Sequence, residues 1–150
     1  MSDNLLILIP ADPQYVPDAA AQQKALSLFA SFVPMAEHVR IQVSDEVEFV
    51  ATDDKFERIV CPSCGDKLDT IWWQQAMDTA YQCTKFANLA VKLPCCQHTC
   101  SLNDLCYNYP TGFARFRIEA SNPRFDIGLS HVNALENIVS CHLKKVWAYF

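Results

Sequence analysis

The feature that most constrains the fold of this 150-residue chain is the clustering of its cysteines in two short segments. Residues 61–65 read Cys-Pro-Ser-Cys-Gly, and residues 94–100 read Pro-Cys-Cys-Gln-His-Thr-Cys. Two thiolates three residues apart in a tight turn supply two of the four tetrahedral ligands that zinc prefers. The proline fixes the turn after the first cysteine, and the glycine relieves crowding after the second. We therefore predict that Cys61 and Cys64 bind a structural zinc ion (Zn2+).

The second segment offers four candidates for the remaining ligands, which are Cys95, Cys96, His98 and Cys100. Adjacent residues are less usual as ligands of one ion, because successive side chains tend to diverge. The pairs Cys96 with Cys100 and Cys95 with His98 avoid that difficulty. The spacing therefore leaves the second pair of ligands open.

Eight cysteines can also form disulfides or a redox-active dithiol. The apolar run at residues 5–9 is too short for the core of a signal peptide, and cytosolic thiols are kept reduced. A redox dithiol usually begins a helix directly after a strand, whereas Gly65 and Asp66 separate this pair from the next predicted helix. Metal binding is therefore the favoured interpretation. Ordinary buried thiols are predicted for the three isolated cysteines Cys83, Cys106 and Cys141.

The composition is that of a globular protein, with 51% hydrophobic and 19% charged residues. The sequence contains no run approaching the roughly 20 apolar residues that a membrane helix needs. No composition shift or linker divides the chain. We therefore predict a single soluble, cytoplasmic domain over residues 1–150, with cysteine turns near residues 61–65 and 94–100.

Apolar periodicity predicts strands and helices in mixed order. Strands are expected at residues 5–9, 39–43, 47–49, 56–60, 86–93, 114–120 and 143–149. Helices are expected after the capping residue Asp18, from Asp69 or Thr70, and after Ser130, with a turn at Ser44 and Asp45. Both ends of the chain show the order strand, helix, strand. This order predicts an α+β fold with helices packed on a largely antiparallel sheet, ferredoxin-like in part.

Charge is distributed unevenly. Residues 1–57 contain ten acids and three bases, a net charge of −7, and the remainder carries +2. An acidic surface repels phosphate backbones and suits a protein partner with a basic surface, although the same charges can form a solvated face. Arg115 and Arg117 are the bases that a nucleic acid would contact, but Glu119 interrupts their row.

No catalytic motif is recognisable. The four histidines belong to no hydrolase motif, and three glycines leave no room for a phosphate-binding loop. An all-cysteine zinc site closes its coordination shell to water. The aromatic residues between 107 and 113 can face a partner or, as we favour, cover the zinc site.

These observations favour a non-enzymatic interaction protein, such as an inhibitor or immunity protein for a toxin, or a regulatory adaptor. The first alternative is a zinc ribbon that binds nucleic acid, the usual inference from such a site. The second is an enzyme that uses a reactive thiol at Cys100 or Cys61.

The cysteine segments also belong to a longer pattern. It comprises residues 61–65, Leu-Pro-Cys-Cys at 93–96, Ser-Leu-Asn-Asp-Leu at 101–105 and Tyr-Pro-Thr-Gly-Phe-Ala-Arg-Phe at 109–116. Over nearly its whole length the chain resembles an uncharacterised family of bacterial proteins. The resemblance implies a zinc-ribbon-like insertion in which Cys95 and Cys96 complete the site, and it implies no activity. Gln97 stands where the family has glycine.

Overall fold

The computed structural model describes residues 4–51, 58–108 and 110–149. In chain order the elements are β1 (Asn4–Pro10), α1 (Ala19–Phe32), β2 (His38–Ala51), β3 (Ile59–Val60), α2 (Thr70–Thr84), β4 (Ala90–Lys92), β5 (Thr99–Ser101), a 3₁₀ turn (Leu102–Asp104), β6 (Cys106–Tyr107), β7 (Thr111–Ser121), α3 (Leu129–Val139) and β8 (Leu143–Tyr149). No helix in these ranges is long and apolar enough to cross a membrane.

The four long strands form one sheet in the order β2-β7-β1-β8, with every neighbouring pair antiparallel. Helix α1 connects β1 to β2, and α3 connects β7 to β8. This is the β-α-β-β-α-β order of the ferredoxin-like unit, in which each helix links two strands that are not neighbours in the sheet. The predicted α+β fold with helices and a largely antiparallel sheet is confirmed.

One face of the sheet carries the two helices. Successive side chains of a strand point to opposite faces, so Leu6 and Leu8 of β1 turn towards the helices. There they meet Phe29 of α1 and Leu135 of α3, and all four side chains are fully buried. The predicted N-cap Asp18 is confirmed, because its carboxylate accepts a hydrogen bond of 2.8 Å from the backbone N–H of Ala21.

The opposite face of the sheet is closed largely by its own curvature. Ile7 and Ile9 of β1 lie on this face and are at most 3% exposed. Val50 of β2 belongs to the same buried cluster as Val146 of β8, although these strands are the two edges of the sheet. The pairing of β2 with β7 shifts register between Val43 and Glu48. Such an irregularity increases local twist and bends the end of β2 towards β8.

The predicted turn at Ser44 and Asp45 is wrong. Both residues lie in the register shift of a continuous strand, β2, which pairs with β7 on either side of them. The side chain of Arg115 in β7 donates from Nε to the carbonyl oxygen of Ser44 at 3.0 Å and so satisfies a backbone group that the shift leaves unpaired.

Two further local predictions need correction. Helix α3 is capped by Gly128 and not by Ser130, and the ring nitrogen Nδ1 of His131 accepts the backbone N–H of Gly128. The strand predicted at 86–93 is confined to Ala90–Lys92, because Phe86 has a positive φ and the N–H groups of Ala87 and Asn88 donate back to Thr84. The strand predicted at 56–60 is seen at Ile59–Val60, and residues 52–57 lie outside the described residues.

Between β2 and β7 the chain makes a long insertion, which contains α2 and two small sheets, β3 with β6 and β4 with β5. Its apolar side chains pack against Phe113 and Val47 of the main sheet. Trp73 of α2 is buried there. The predicted capping role of Asp69 is confirmed by its hydrogen bond from the N–H of Ile71 at 2.8 Å.

Gly112 lies where the insertion meets the main sheet. A Cβ atom added there would lie 2.8 Å from Cδ1 of Ile9 and 3.1 Å from Oδ1 of Asn103. We expect Gly112→Ala to destabilise the protein by about 1–3 kcal/mol in urea unfolding, because overpacking displaces buried groups. Ile9→Val removes Cδ1, so the double variant should lose less stability than the sum of the single variants. Additive losses would contradict this explanation.

Candidate metal centre

The structure brings together the sulfur atoms of four cysteines from two distant loops. The Sγ atoms of Cys61, Cys64, Cys95 and Cys96 all lie within 4.8 Å of one another. Cys61 and Cys96 are 3.8 Å apart between sulfurs, and Cys64 and Cys95 are 3.3 Å apart. These are the four residues that the sequence pattern and the resemblance together indicate. Within the described ranges, neither His98 nor Cys100 joins this group of mutually close ligand atoms.

The first loop is a six-residue turn that follows strand β3. The backbone N–H of Cys61 donates to the carbonyl of Asp66 at 2.8 Å, and the N–H of Gly65 donates to the carbonyl of Cys61 at 3.0 Å. Gly65 has a φ of +79°, a left-handed conformation that glycine adopts without strain. The N–H groups of Ser63 and Cys64 point at the sulfur of Cys61, at 3.3 and 3.4 Å.

The second loop repeats the first with an offset of 32 residues. The N–H of Leu93 donates to the carbonyl of His98 at 2.8 Å, and the N–H of Gln97 donates to the carbonyl of Leu93 at 2.9 Å. Gln97 has a φ of +67° and so occupies the conformation of Gly65. The flanking residues correspond as well. Val60 forms a β-bridge with Lys67 in the first copy, and Lys92 pairs with Thr99 at the same positions of the second copy. The candidate metal centre is therefore built from two copies of one turn.

This correspondence explains how adjacent cysteines can share one site. Position one of the turn is Cys61 in the first copy and Leu93 in the second, where the leucine is fully buried in the apolar cluster of the insertion. The second copy supplies its ligands from positions three and four, Cys95 and Cys96. Divergence of successive side chains holds for extended strands, whereas Cys95 and Cys96 lie in a tight turn that the left-handed Gln97 follows.

Cys100 corresponds to Leu68 of the first copy, two residues after the turn. Leu68 is 2% exposed in the cluster of the insertion, and Cys100 packs partly buried against the same cluster. Its side chain is therefore used for packing. The duplication escaped the sequence interpretation, although a recurring signal was present, Pro-x-Cys at residues 62–64 and again at 94–96.

The left-handed Gln97 offers a test of the second turn. A residue with a Cβ atom in this conformation costs about 1–2 kcal/mol relative to glycine. We therefore expect Gln97→Gly to raise the free energy of unfolding by about 1 kcal/mol, and the midpoint of thermal unfolding by about 2–4 °C. Gln97→Ala is the matched control, because it removes the side chain but keeps the strain. Equal stability of the two variants would contradict the proposed geometry.

The cluster has an uneven electrostatic environment. Burial alone would raise the pKa of Cys61, but the backbone N–H groups of Cys64 and Ser63 donate to its sulfur and lower the pKa to about 6. The pKa of Cys95 is raised to about 12, chiefly because its sulfur is desolvated and secondly because it contacts the thiols of Cys64 and Cys61. The pKa of Cys64 is raised as well. The backbone amide of Asp66 lowers this pKa, but desolvation and the thiol of Cys61 raise it.

Metal uptake should consequently release protons. Zinc binds thiolates, so the raised pKa values of Cys64 and Cys95 mean that both thiols lose a proton when zinc binds at pH 7. We expect at least two protons per zinc in calorimetric titrations that compare buffers of different ionisation enthalpy. Affinity should fall as the pH is lowered, because protons compete for the same sulfurs. An affinity independent of pH between about 6 and 8 would contradict this assignment.

The isolated cysteines are more exposed than the sequence predicts, whereas the aromatic residues pack in the insertion. Cys83 and Cys106 are exposed, so the prediction of buried thiols is wrong for both, and Cys141 is half-buried. Tyr107 and Phe113 pack in the cluster of the insertion, as favoured for the aromatic residues. Tyr107 accepts the indole N–H of Trp73 at 3.1 Å and donates to a backbone carbonyl, while burial raises its pKa. Tyr109 lies outside the described residues.

No family model matches the chain, and no curated protein or solved structure is significantly similar to it. The metal centre is therefore interpreted from its own geometry.

Proposed function

We propose that the protein is a non-catalytic interaction protein whose insertion is braced by one structural zinc ion. The observation that carries this proposal is the convergence of four sulfurs, from Cys61, Cys64, Cys95 and Cys96, within 4.8 Å. Zn–S bonds of about 2.3 Å in a tetrahedron place neighbouring sulfurs about 3.8 Å apart. The separation of 3.8 Å between the sulfurs of Cys61 and Cys96 agrees with that value, and the separation of 3.3 Å between those of Cys64 and Cys95 is shorter.

The donor set supports a structural role for the ion. Four thiolates complete the tetrahedral shell and leave no position for water or substrate. The two turns belong to separate small sheets, so a shared ion joins two parts of the insertion that are not hydrogen-bonded into one sheet. Cys61, the thiol whose pKa is lowered, is 1% exposed and has no access for a substrate. These features favour a structural site over a thiol-dependent enzyme.

The proposed partner is a protein with a basic surface, as for an inhibitor or immunity protein of a basic toxin, or an adaptor. The acidic front half of the chain supports this role. Part of that charge is used internally, since Glu46 pairs with Lys85 and Glu48 with Arg117. Exposed acids such as Asp45 remain for an external partner.

Nucleic acid is a less suitable partner. Arg115 donates to the carbonyl of Ser44, and Arg117 contacts Gln42 and Glu119. Both arginines are therefore engaged within the sheet, where their side chains satisfy internal acceptors. Phosphate contacts require cations that are free to approach the backbone of the nucleic acid.

Elemental analysis of protein purified without chelators tests the metal. One zinc per chain is expected. Absence of metal, or one iron in its place, would overturn the proposal, since tetrahedral sulfur sites also suit iron.

Affinity capture from the native host tests the partner. A basic protein should be retained at low salt and released at high salt, and Asp45→Asn should weaken retention. Asp78→Asn, the same change at an exposed residue of α2 outside the acidic half, serves as the matched control. Recovery of the protein alone at every salt concentration would exclude the proposed partner class.

A further inference from the structure

The four cysteines of the metal centre differ in their access to solvent. Cys61 is 1% exposed and Cys96 is half-buried, whereas Cys64 and Cys95 are both exposed. The exposed pair is also the closer one, with 3.3 Å between sulfurs against 3.8 Å for Cys61 and Cys96. The outer side of the site therefore holds two neighbouring sulfurs from different loops.

We propose that Cys64 and Cys95 form an oxidisable pair, which a hydroperoxide converts to a disulfide with release of the zinc ion. This inference rests on the zinc site proposed above. It assigns a modification site to the solvent-facing half of the cluster, and the inner half, Cys61 and Cys96, remains reduced.

The reaction balances with hydrogen peroxide as the oxidant. The sulfur of Cys64 attacks one peroxide oxygen, so that an S–O bond forms, the O–O bond breaks and hydroxide leaves. The sulfur of Cys95 then attacks the sulfenic sulfur of Cys64, so that an S–S bond forms and a second hydroxide leaves. Two sulfurs lose one electron each, the peroxide gains two electrons, and two protons convert the hydroxides to water. The zinc ion loses two of its four ligands.

Competing pairs are less favourable. Cys95 and Cys96 are consecutive, so their Cα atoms lie about 3.8 Å apart across a trans peptide, shorter than the roughly 4.4–6.8 Å that disulfides usually span. Burial shields Cys61 from the oxidant. Cys83 and Cys106 are exposed but belong to no group of close sulfurs among the described residues.

The test uses the full chain loaded with zinc, in the Cys83→Ser/Cys106→Ser background, which removes the two exposed thiols outside the site. Hydrogen peroxide is added, zinc release is followed with a chromogenic chelator, and the disulfide is located by mass spectrometry of a non-reducing digest. We expect one zinc released for each disulfide formed, a cross-link between Cys64 and Cys95, and recovery of zinc binding after reduction and addition of zinc.

Three results would overturn the inference. Zinc-loaded protein that keeps its metal under peroxide while its thiols stay reduced would remove the oxidisable pair but leave the structural site intact. A cross-link between Cys61 and Cys96 would show that the buried half of the cluster is oxidised, and not the exposed half. Protein that cannot be loaded with zinc would instead refute the proposed function, and this inference with it.

Discussion

Cys61→Ser is expected to abolish stoichiometric zinc binding and to lower the free energy of unfolding by about 4 kcal/mol, since loss of a metal site is among the largest effects of single substitutions. For a domain of this size, such a loss lowers the midpoint of thermal unfolding by about 8–16 °C. Serine keeps the size of the side chain, so the effect reports the missing ligand. Calorimetry with parallel elemental analysis provides both quantities.

Cys83→Ser is the matched control for this prediction. It makes the same chemical change at an exposed cysteine of α2 that lies outside the sulfur cluster. The control should bind one zinc and unfold within about 0.5 kcal/mol of the natural chain, as surface substitutions usually do. If the two variants unfold at the same temperature, the ion does not brace the fold.

The second large effect is expected at a buried carboxylate in the main sheet. The side chain of Glu119 is 2% exposed and pairs with Arg40 at 3.0 Å and Arg117 at 2.8 Å, whose side chains are 57% and 26% exposed. Removing both cations leaves an anion without access to water. We expect Arg40→Met/Arg117→Met to destabilise the protein by about 3–5 kcal/mol in urea unfolding.

A triple variant separates the charge from the packing. Arg40→Met/Arg117→Met/Glu119→Met replaces the ionic group by apolar side chains of similar volume, and such replacements are often neutral or stabilising. The triple variant should therefore recover most of the stability that the double variant loses. A triple variant as unstable as the double variant would show that the arginines act through packing of their aliphatic stems.

The burial of Glu119 could not be predicted from the alternation of polar and apolar residues along its own strand. Arg115, Arg117 and Glu119 alternate with apolar residues in the sequence, which is typical of a strand with one solvated face. In the structure Glu119 is 1% exposed, because it lies between Ile7 of β1 and Arg40 of β2 in the sheet, and its carboxylate pairs with the side chains of Arg40 and Arg117. Exposure of the polar side of β7 thus depends on strands that are distant in sequence.

The candidate metal centre likewise combines one turn that the sequence predicts with one that it does not. The turn at Cys61 and Cys64 was predictable, because ligand spacing, proline and glycine act within five residues. The choice of Cys95 and Cys96 over His98 and Cys100 was not predictable from spacing. It depends on a second turn of the same geometry, in which Leu93 takes the first ligand position and packs into the core.

The sequence by itself determined the order strand, helix, strand at both ends of the chain, the caps at Asp18 and Asp69, and the first pair of candidate ligands. Each of these depends on interactions between residues close together along the chain. Tertiary structure alone decided the closing of the sheet, the burial of Glu119 and the partnership of the two turns. Those features arise where segments far apart in sequence meet, and local periodicity carries no information about such contacts.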